Sequence, residues 1–214
     1  MRARLIVLVA LCALLLSDGA VEPTPFVWPS LLAQSDAQKT SQQIVYYMDA
    51  REDKLWRTIV QKVAEDLLIP DDLELAERIT KAIEDSSAEF GMNPWLMVAL
   101  IRVESAGDPT AVSYKGARGL TQVMPNTGIQ IARELGVKWE GPEMLHDVET
   151  SVRFGTYYLS KLLKRFGDTH AAVAAYFWGP DNIARRLEEG TPLPTGYPGK
   201  VFRHVKVARV WASS

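Results

Sequence analysis

Apolar positions recur at helical spacing along most of this 214-residue chain. Leu55, Ile59, Val63 and Leu67 repeat four apart behind Asp49 and Glu52, a pair spaced as a capping box, and Pro70 stops the run. Asp71 and Glu74 repeat the cap, and Ala76, Ile79, Ile83 and Phe90 mark one face up to Gly91. Asn93 followed by Pro94 opens a third helix, with a polar cap and then proline in the first turn. Later periodic runs predict helices over 127–135, 148–166, 169–178, 181–189 and 200–211. Gly136, Gly167, Gly179 and Gly190 end the first four. No strand alternation lasts more than a few residues and no repeat is visible. The expected class is all-α, with loops concentrated between Ala106 and Asn126.

The third helix is unlike the others. Every residue from Leu96 to Ile101 is apolar, Val103 follows, and then Glu104 closes the series. Met97, Leu100, Ile101 and Glu104 share a face, and on the opposite side only Arg102 is charged. Such a helix belongs in the middle of a core, not on its surface. A carboxyl at its C-terminal end is disfavoured as an anion by desolvation and by the negative end of the helix dipole. Both influences raise its pKa, and a carboxyl that stays protonated near neutral pH is a general acid. The alternative is a carboxylate that escapes to solvent where "SAGDP" ends the helix. The pattern alone leaves both open.

The chain ends change the picture in other ways. Arg2 and Arg4 precede the apolar run "LIVLVALCALLL" and the small, polar "SDGA", which reads as a secretory leader over 1–20. That run is 12 residues long, short of the roughly 20 that cross a bilayer. An uncleaved anchor is the competing reading. Leu11 precedes Cys12 where a lipid-attachment signal wants glycine or alanine, so lipidation is not expected. Without the leader the chain has no cysteine and needs no disulfide in an oxidising compartment. Its loss moves the formal charge only from −2 to −3, and no basic face suggests a nucleic-acid partner. Residues 21–43, with Pro23, Pro25 and Pro29 and then "QSDAQKTSQQ", read as a linker. Residues 44–70 form an accessory helical segment that either packs on the main domain or recruits an envelope partner. The main domain is expected over 71–214.

"VESAGDPTAVSYKGARGLTQVMPNTG", which starts one residue before Glu104, closely resembles the Glu-Ser and Gly-Leu-Met-Gln signatures of soluble lytic transglycosylases, in the goose-type lysozyme superfamily. "FGTYYLSKLL", "AAVAAYFWGP" and "PTGYPGKVF" extend the resemblance over about 140 residues. It implies a lysozyme-like helical domain with a groove for a peptidoglycan glycan strand. No cofactor is expected, and with its leader the chain reads as an exported monomer of the periplasm or cell envelope.

Carried over residue by residue, the resemblance makes Glu104 the single catalytic acid/base, with Ser105 completing the Glu-Ser pair. Ser113 matches a serine near the reacting carboxyl, and Gln122 and Met124 match groove residues that contact sugar. Tyr158, Tyr176 and Tyr197 match tyrosines that line the site, although spacing does not say whether Tyr157 or Tyr158 faces it. Each of these also has a plainer explanation: Ser113 as a turn residue, Met124 as core, Gly116 and Gly119 as backbone requirements. Two departures stand out. Thr121 replaces a methionine, and "AYFWG" puts Phe177 and Trp178 where the family has asparagine and alanine. Those rings either form a stacking platform for sugar or simply pack.

The implied reaction uses one carboxyl. Glu104 protonates the glycosidic oxygen between N-acetylmuramic acid and N-acetylglucosamine, then takes the proton from the muramic C6 hydroxyl as it closes on C1. The product is a 1,6-anhydromuramyl end. Ordinary glycosidases use two carboxyls. Asp108 is the only acid close to Glu104 in sequence and reads as a turn residue. If it held a water, the protein would be a lysozyme-type hydrolase. A groove that binds glycan without cutting it is the third reading. His146, His170 and His204 lack metal-ligand spacing.

Overall fold

The computed structural model describes residues 57–212, with side chains as far as residue 205. The expected leader, the linker and the Asp49–Glu52 cap lie outside the described residues. The helices are α1 (57–66), α2 (Leu73–Phe90), α3 (Pro94–Glu104) and α4 (Pro125–Leu135), then a 3-10 helix at Pro142–His146. After these come α5 (Val148–Phe166), α6 (Thr169–Trp178), α7 (Pro180–Glu188) and α8 (Gly196–Ala212). Among the described residues there is no strand. Two isolated bridges, Val112 to Arg118 and Arg118 to Val123, crease the long loop between α3 and α4. The all-α class holds.

Several boundaries differ from the sequence reading. The cap of α2 is Asp72, whose Oδ1 accepts from Leu75 N at 2.9 Å, and not Asp71. Asp71 falls within the turn that Pro70 begins, one residue too early to reach the free N–H groups. Helix α1 ends before Pro70, because Leu68 turns left-handed (φ 63°) and Ile69 N bonds back to Ala64 O at 2.8 Å. Helices α4 and α7 begin on prolines, Pro125 and Pro180, behind Met124 and Gly179, neither of which caps with a side chain. Proline at the first turn needs no donor, so these helices start without the polar signal that a sequence reading looks for. Helix α8 likewise starts at Gly196, before Tyr197 and Pro198.

The core is built around α3. Met97, Leu100 and Ile101 are fully enclosed, and each contributes roughly 2 kcal/mol relative to exposure. Helix α3 packs against α8, while α5 lies between α2 and α6. Val63 and Leu67 enter the same core, and Arg102 donates to the Asp66 carbonyl at 2.6 Å, so α1 is tied to α3. A smaller cluster of Val123, Ile131, Leu145 and Phe154 joins α4 and the 3-10 helix to α5. The α3–α4 loop is pinned between these two bodies. Gly119 shows how tightly: it has φ 74°, and a Cβ there would lie 1.8 Å from the Leu145 carbonyl oxygen.

Candidate active site

Helix α3 starts from Asn93, whose side chain accepts from Trp95 N at 2.9 Å, and runs through the core to Glu104. Ser105 N closes the helix on Ile101 O at 3.0 Å, and Ala106 (φ 54°) and Gly107 (φ 85°) turn the chain away. The apolar run thus delivers a carboxyl to the edge of the core. Glu104 is partly buried, and burial pushes its pKa up to about 7. The Tyr197 hydroxyl donates to Glu104 Oε1 and works in the opposite direction, favouring the anion. Desolvation wins, so the group changes protonation state near neutrality.

Helices α6 and α8 bring phenols towards this carboxyl, and α5 backs them. Tyr197, buried at the start of α8, has its own ionisation pushed well above the ordinary phenol range by burial and by the neighbouring Glu104 charge. Tyr176, near the end of α6, donates to the Thr121 carbonyl at 2.8 Å. Its pKa is raised by burial and then by Glu104, which places it within electrostatic reach of the carboxyl. Tyr158 of α5 meets the Tyr176 ring at 5.3 Å between centroids. Tyr157 turns the other way, onto Phe90 at 5.2 Å, so Tyr158 is the member of the pair that faces this cluster. The polar ends of both buried phenols are occupied, as buried hydroxyls require.

The remaining expected residues lie in the α3–α4 loop and are largely engaged in building it. Ser105 Oγ donates to Leu120 O at 2.9 Å and accepts from Gly107 N at 3.3 Å. Ser113 Oγ accepts from Ala117 N at 3.0 Å and closes a turn. Among the described residues it makes no hydrogen bond to Glu104. Gln122, left-handed at φ 50°, donates from Nε2 to Ala111 O (3.1 Å) and Gly119 O (2.9 Å). Met124 is partly exposed immediately before α4. Asp108 is exposed and accepts from both Thr110 N and Thr110 Oγ1 at 2.7 Å, the turn role its "GDP" setting suggests.

The structure also places the two departures from the family pattern, and it adds a clamp that the sequence reading missed. Thr121 is fully buried; its carbonyl holds Tyr176, and its Oγ1 donates to Ser151 O at 2.7 Å. Gly155 leaves it room, since a Cβ there would come within 2.5 Å of the Thr121 side chain. The departure from methionine at this position marks it, but nothing in the hydrophobic pattern does. Arg118, Glu143 and His146 clamp the loop to the 3-10 helix, with Arg118 to Glu143 at 2.9 Å and His146 Nδ1 against Pro109 O at 2.9 Å. Finally, Phe177 stacks on Tyr197 at 4.6 Å and 22°, and Trp178 meets both rings edge-on. One carboxyl poised near neutrality, braced by a phenol and walled by aromatic rings, is equipped to donate a proton and take it back.

Comparison with known proteins adds to this picture. Residues 81–192 match the family model of the transglycosylase SLT domain. A transglycosylase of Enterobacteria phage PRD1 is 31% identical over 127 residues, covering 59% of this chain and 43% of that protein. A soluble lytic murein transglycosylase of Salmonella typhimurium is 34% identical over 112 residues, covering 51% of this chain and 16% of that protein. The chain therefore spans less than half the length of either relative. Among solved structures, the 70 kDa soluble lytic transglycosylase of Escherichia coli aligns over 90% of this chain and 38% of its own length. Its TM-score is 0.59 at 20% identity, a likeness of fold.

Proposed function

Because the chain belongs to the transglycosylase SLT domain family, we propose that it is a peptidoglycan lytic transglycosylase. It cleaves the β-1,4 bond between N-acetylmuramic acid and N-acetylglucosamine and leaves 1,6-anhydromuramyl ends. The observation that carries this reading is Glu104, whose pKa is pushed up to about 7 and whose Oε1 is held by Tyr197.

With Oε1 engaged, Oε2 carries the transferable proton. Glu104 delivers it to the glycosidic oxygen as the bond to C1 breaks, and the leaving sugar departs with its hydroxyl restored. The substrate's own acetamido group supports the positive charge at the anomeric carbon. Tyr197 then steadies the new carboxylate, since a hydroxyl donating to an anion makes a stronger bond than one donating to a neutral acid. The carboxylate takes the proton of the muramic C6 hydroxyl while that oxygen closes on C1, which returns Glu104 to its starting state. Near pH 7 neither half of the cycle is strongly uphill, because a pKa matched to ambient pH serves acid and base alike.

A single carboxyl suffices for this cycle, and the surroundings favour it. Burial and the Tyr197 hydroxyl are the influences on Glu104's titration, and Asp108 is committed to Thr110. Both protein groups in the cycle, Glu104 and Tyr197, come from one chain, which fits a monomer. We further infer that the protein is exported and meets its substrate in the cell envelope, as the sequence of 1–20 and the murein substrate named for its relatives suggest.

The test is mass spectrometry of products released from purified peptidoglycan by the parent and by Glu104→Gln. Anhydromuramyl ends from the parent alone are expected. Reducing muramyl ends would instead mean hydrolysis and a water-holding group elsewhere.

A further inference from the structure

Phe177 is the part of the site that the proposed reaction does not use. Helix α6 is enclosed from Ala171 to Ala175, and Tyr176 turns inward to the Thr121 carbonyl. The next residue, Phe177, emerges with 58% of its surface exposed. A single exposed phenylalanine is ordinary on a protein surface. This one differs in being held. Its ring lies nearly parallel to Tyr197 at 4.6 Å and 22°, and Trp178 abuts it edge-on at 4.8 Å and 74°. Trp178 also meets Tyr197 edge-on at 6.1 Å, so three rings fix one another's orientation. One face of Phe177 is covered by the phenol that holds Glu104, which leaves the exposure to its other side.

From this arrangement we infer that the outer face of Phe177 is a sugar-stacking wall, taking the apolar face of a pyranose ring in the glycan strand beside the cleaved bond. The inference rests on the transglycosylase reading of the same site. An aromatic face carries partial negative charge, and the axial C–H groups on one side of a β-linked pyranose present partial positive charge and little polarity. The two surfaces match without any hydrogen bond. A held ring gains more from such a contact than a mobile one, because little side-chain freedom remains to be lost on binding. The position relative to Glu104 selects sugar over other apolar partners. The ring that anchors Phe177 is the ring whose hydroxyl grips the reacting carboxyl, so whatever lies on Phe177 lies one aromatic layer from the chemistry. Relative to the asparagine of the resembling family, this chain exchanges a hydrogen-bonding group for a platform that accepts pyranose rings regardless of their polar substituents. Phe177 thus determines how tightly the strand is held more than how fast it is cut.

The test separates contact from bracing and from failure of the reaction itself. Binding of peptide-free N-acetylglucosamine–N-acetylmuramic acid octasaccharides is measured by calorimetry in Glu104→Gln protein, alone and combined with Phe177→Ala, Phe177→Leu or Phe177→Trp. Turnover of the same strands is followed in the four corresponding proteins that keep Glu104. Circular dichroism and thermal melts confirm that each variant is folded. Expected is a roughly five- to ten-fold weaker Kd for Ala, a partial loss for Leu and retention for Trp. KM should rise in step, and the pH dependence of kcat should not move. Unchanged Kd in all three variants would overturn the proposal. So would lower kcat with a displaced pH profile at constant Kd, because Phe177 would then act only through Tyr197. If the parent releases no anhydromuramyl ends, the functional reading fails, while the calorimetry still decides whether Phe177 holds sugar.

Discussion

Replacing Glu104 by glutamine should make this protein more stable at alkaline pH and leave it nearly unchanged at acid pH. The carboxyl's pKa is pushed from 4.5 to about 7 on folding. Between those values the native state holds a proton that the unfolded chain has released, so stability falls as pH rises through this window. The contribution of the protonated group is fully present below about pH 4.5 and is lost by the time pH passes 7. Each pKa unit corresponds to about 1.4 kcal/mol, which sets a ceiling of roughly 3 kcal/mol above pH 7. Glu104 keeps some solvent contact, so about 2 kcal/mol is the better expectation. Glutamine is neutral throughout, and its carbonyl still accepts from Tyr197. For a domain of this size the gain corresponds to about 4–8 °C in melting temperature. Differential scanning calorimetry of parent and Glu104→Gln from pH 4 to 8.5 reads it directly. Other titrating groups cancel in the difference, provided they do not couple to Glu104. The phenols of Tyr176 and Tyr197 titrate well above this range. A gap between the two proteins that is the same at every pH would refute the idea that burial holds Glu104 protonated.

Three further outcomes follow from the same geometry. In the parent, kcat/KM should decline as pH rises through about 7, and Tyr197→Phe, by removing a hydrogen bond that favours the anion, should carry that decline to higher pH; initial rates on soluble glycan strands give both profiles. Asp108→Asn should keep turnover within about two-fold, because an asparagine oxygen still accepts from Thr110, whereas a loss near a hundred-fold would mark Asp108 as a water-holding base. Gly119→Ala should cost more than about 2 kcal/mol in urea unfolding, since its added Cβ collides with the Leu145 carbonyl at a left-handed backbone position.

Legibility from sequence tracked how local the cause was. Helix α3 was readable because its capping, its apolar run and its terminal glutamate all lie within twelve residues, Asn93 to Glu104. The inward choice between Tyr157 and Tyr158 was not, because it depends on where α2 presents Phe90 and α6 presents Tyr176. The starts of α4 and α7 were misplaced because proline opens those helices without a capping side chain, and α8 begins at Gly196, ahead of its periodic apolar run. Ser105, Ser113 and Gln122 were recognisable as motif members. Their hydrogen bonds to the loop's own backbone are long-range facts that no periodicity encodes. Thr121 is the extreme case: a buried hydroxyl paired to Ser151, thirty positions along the chain, holds the carbonyl on which Tyr176 rests.

The glutamate that ends an oily helix therefore has a physical reason to be there. A carboxyl in water near pH 7 is almost wholly ionised and has no proton to give, while one sealed in a core has no route to a substrate. Ending α3 at Glu104 places the group between these limits: burial at the edge of the core desolvates it, and Ala106 and Gly107 turn the chain away before the carboxyl is closed over. Burial alone would push the pKa higher still, and the Tyr197 hydroxyl pulls it back. The balance of those two opposed influences, not either one, leaves the group able to act first as acid and then as base. Moving the glutamate one turn inward, among the fully enclosed residues around Leu100, would break that balance towards permanent protonation, and moving it outward to the exposed position of Asp108 would break it towards permanent charge.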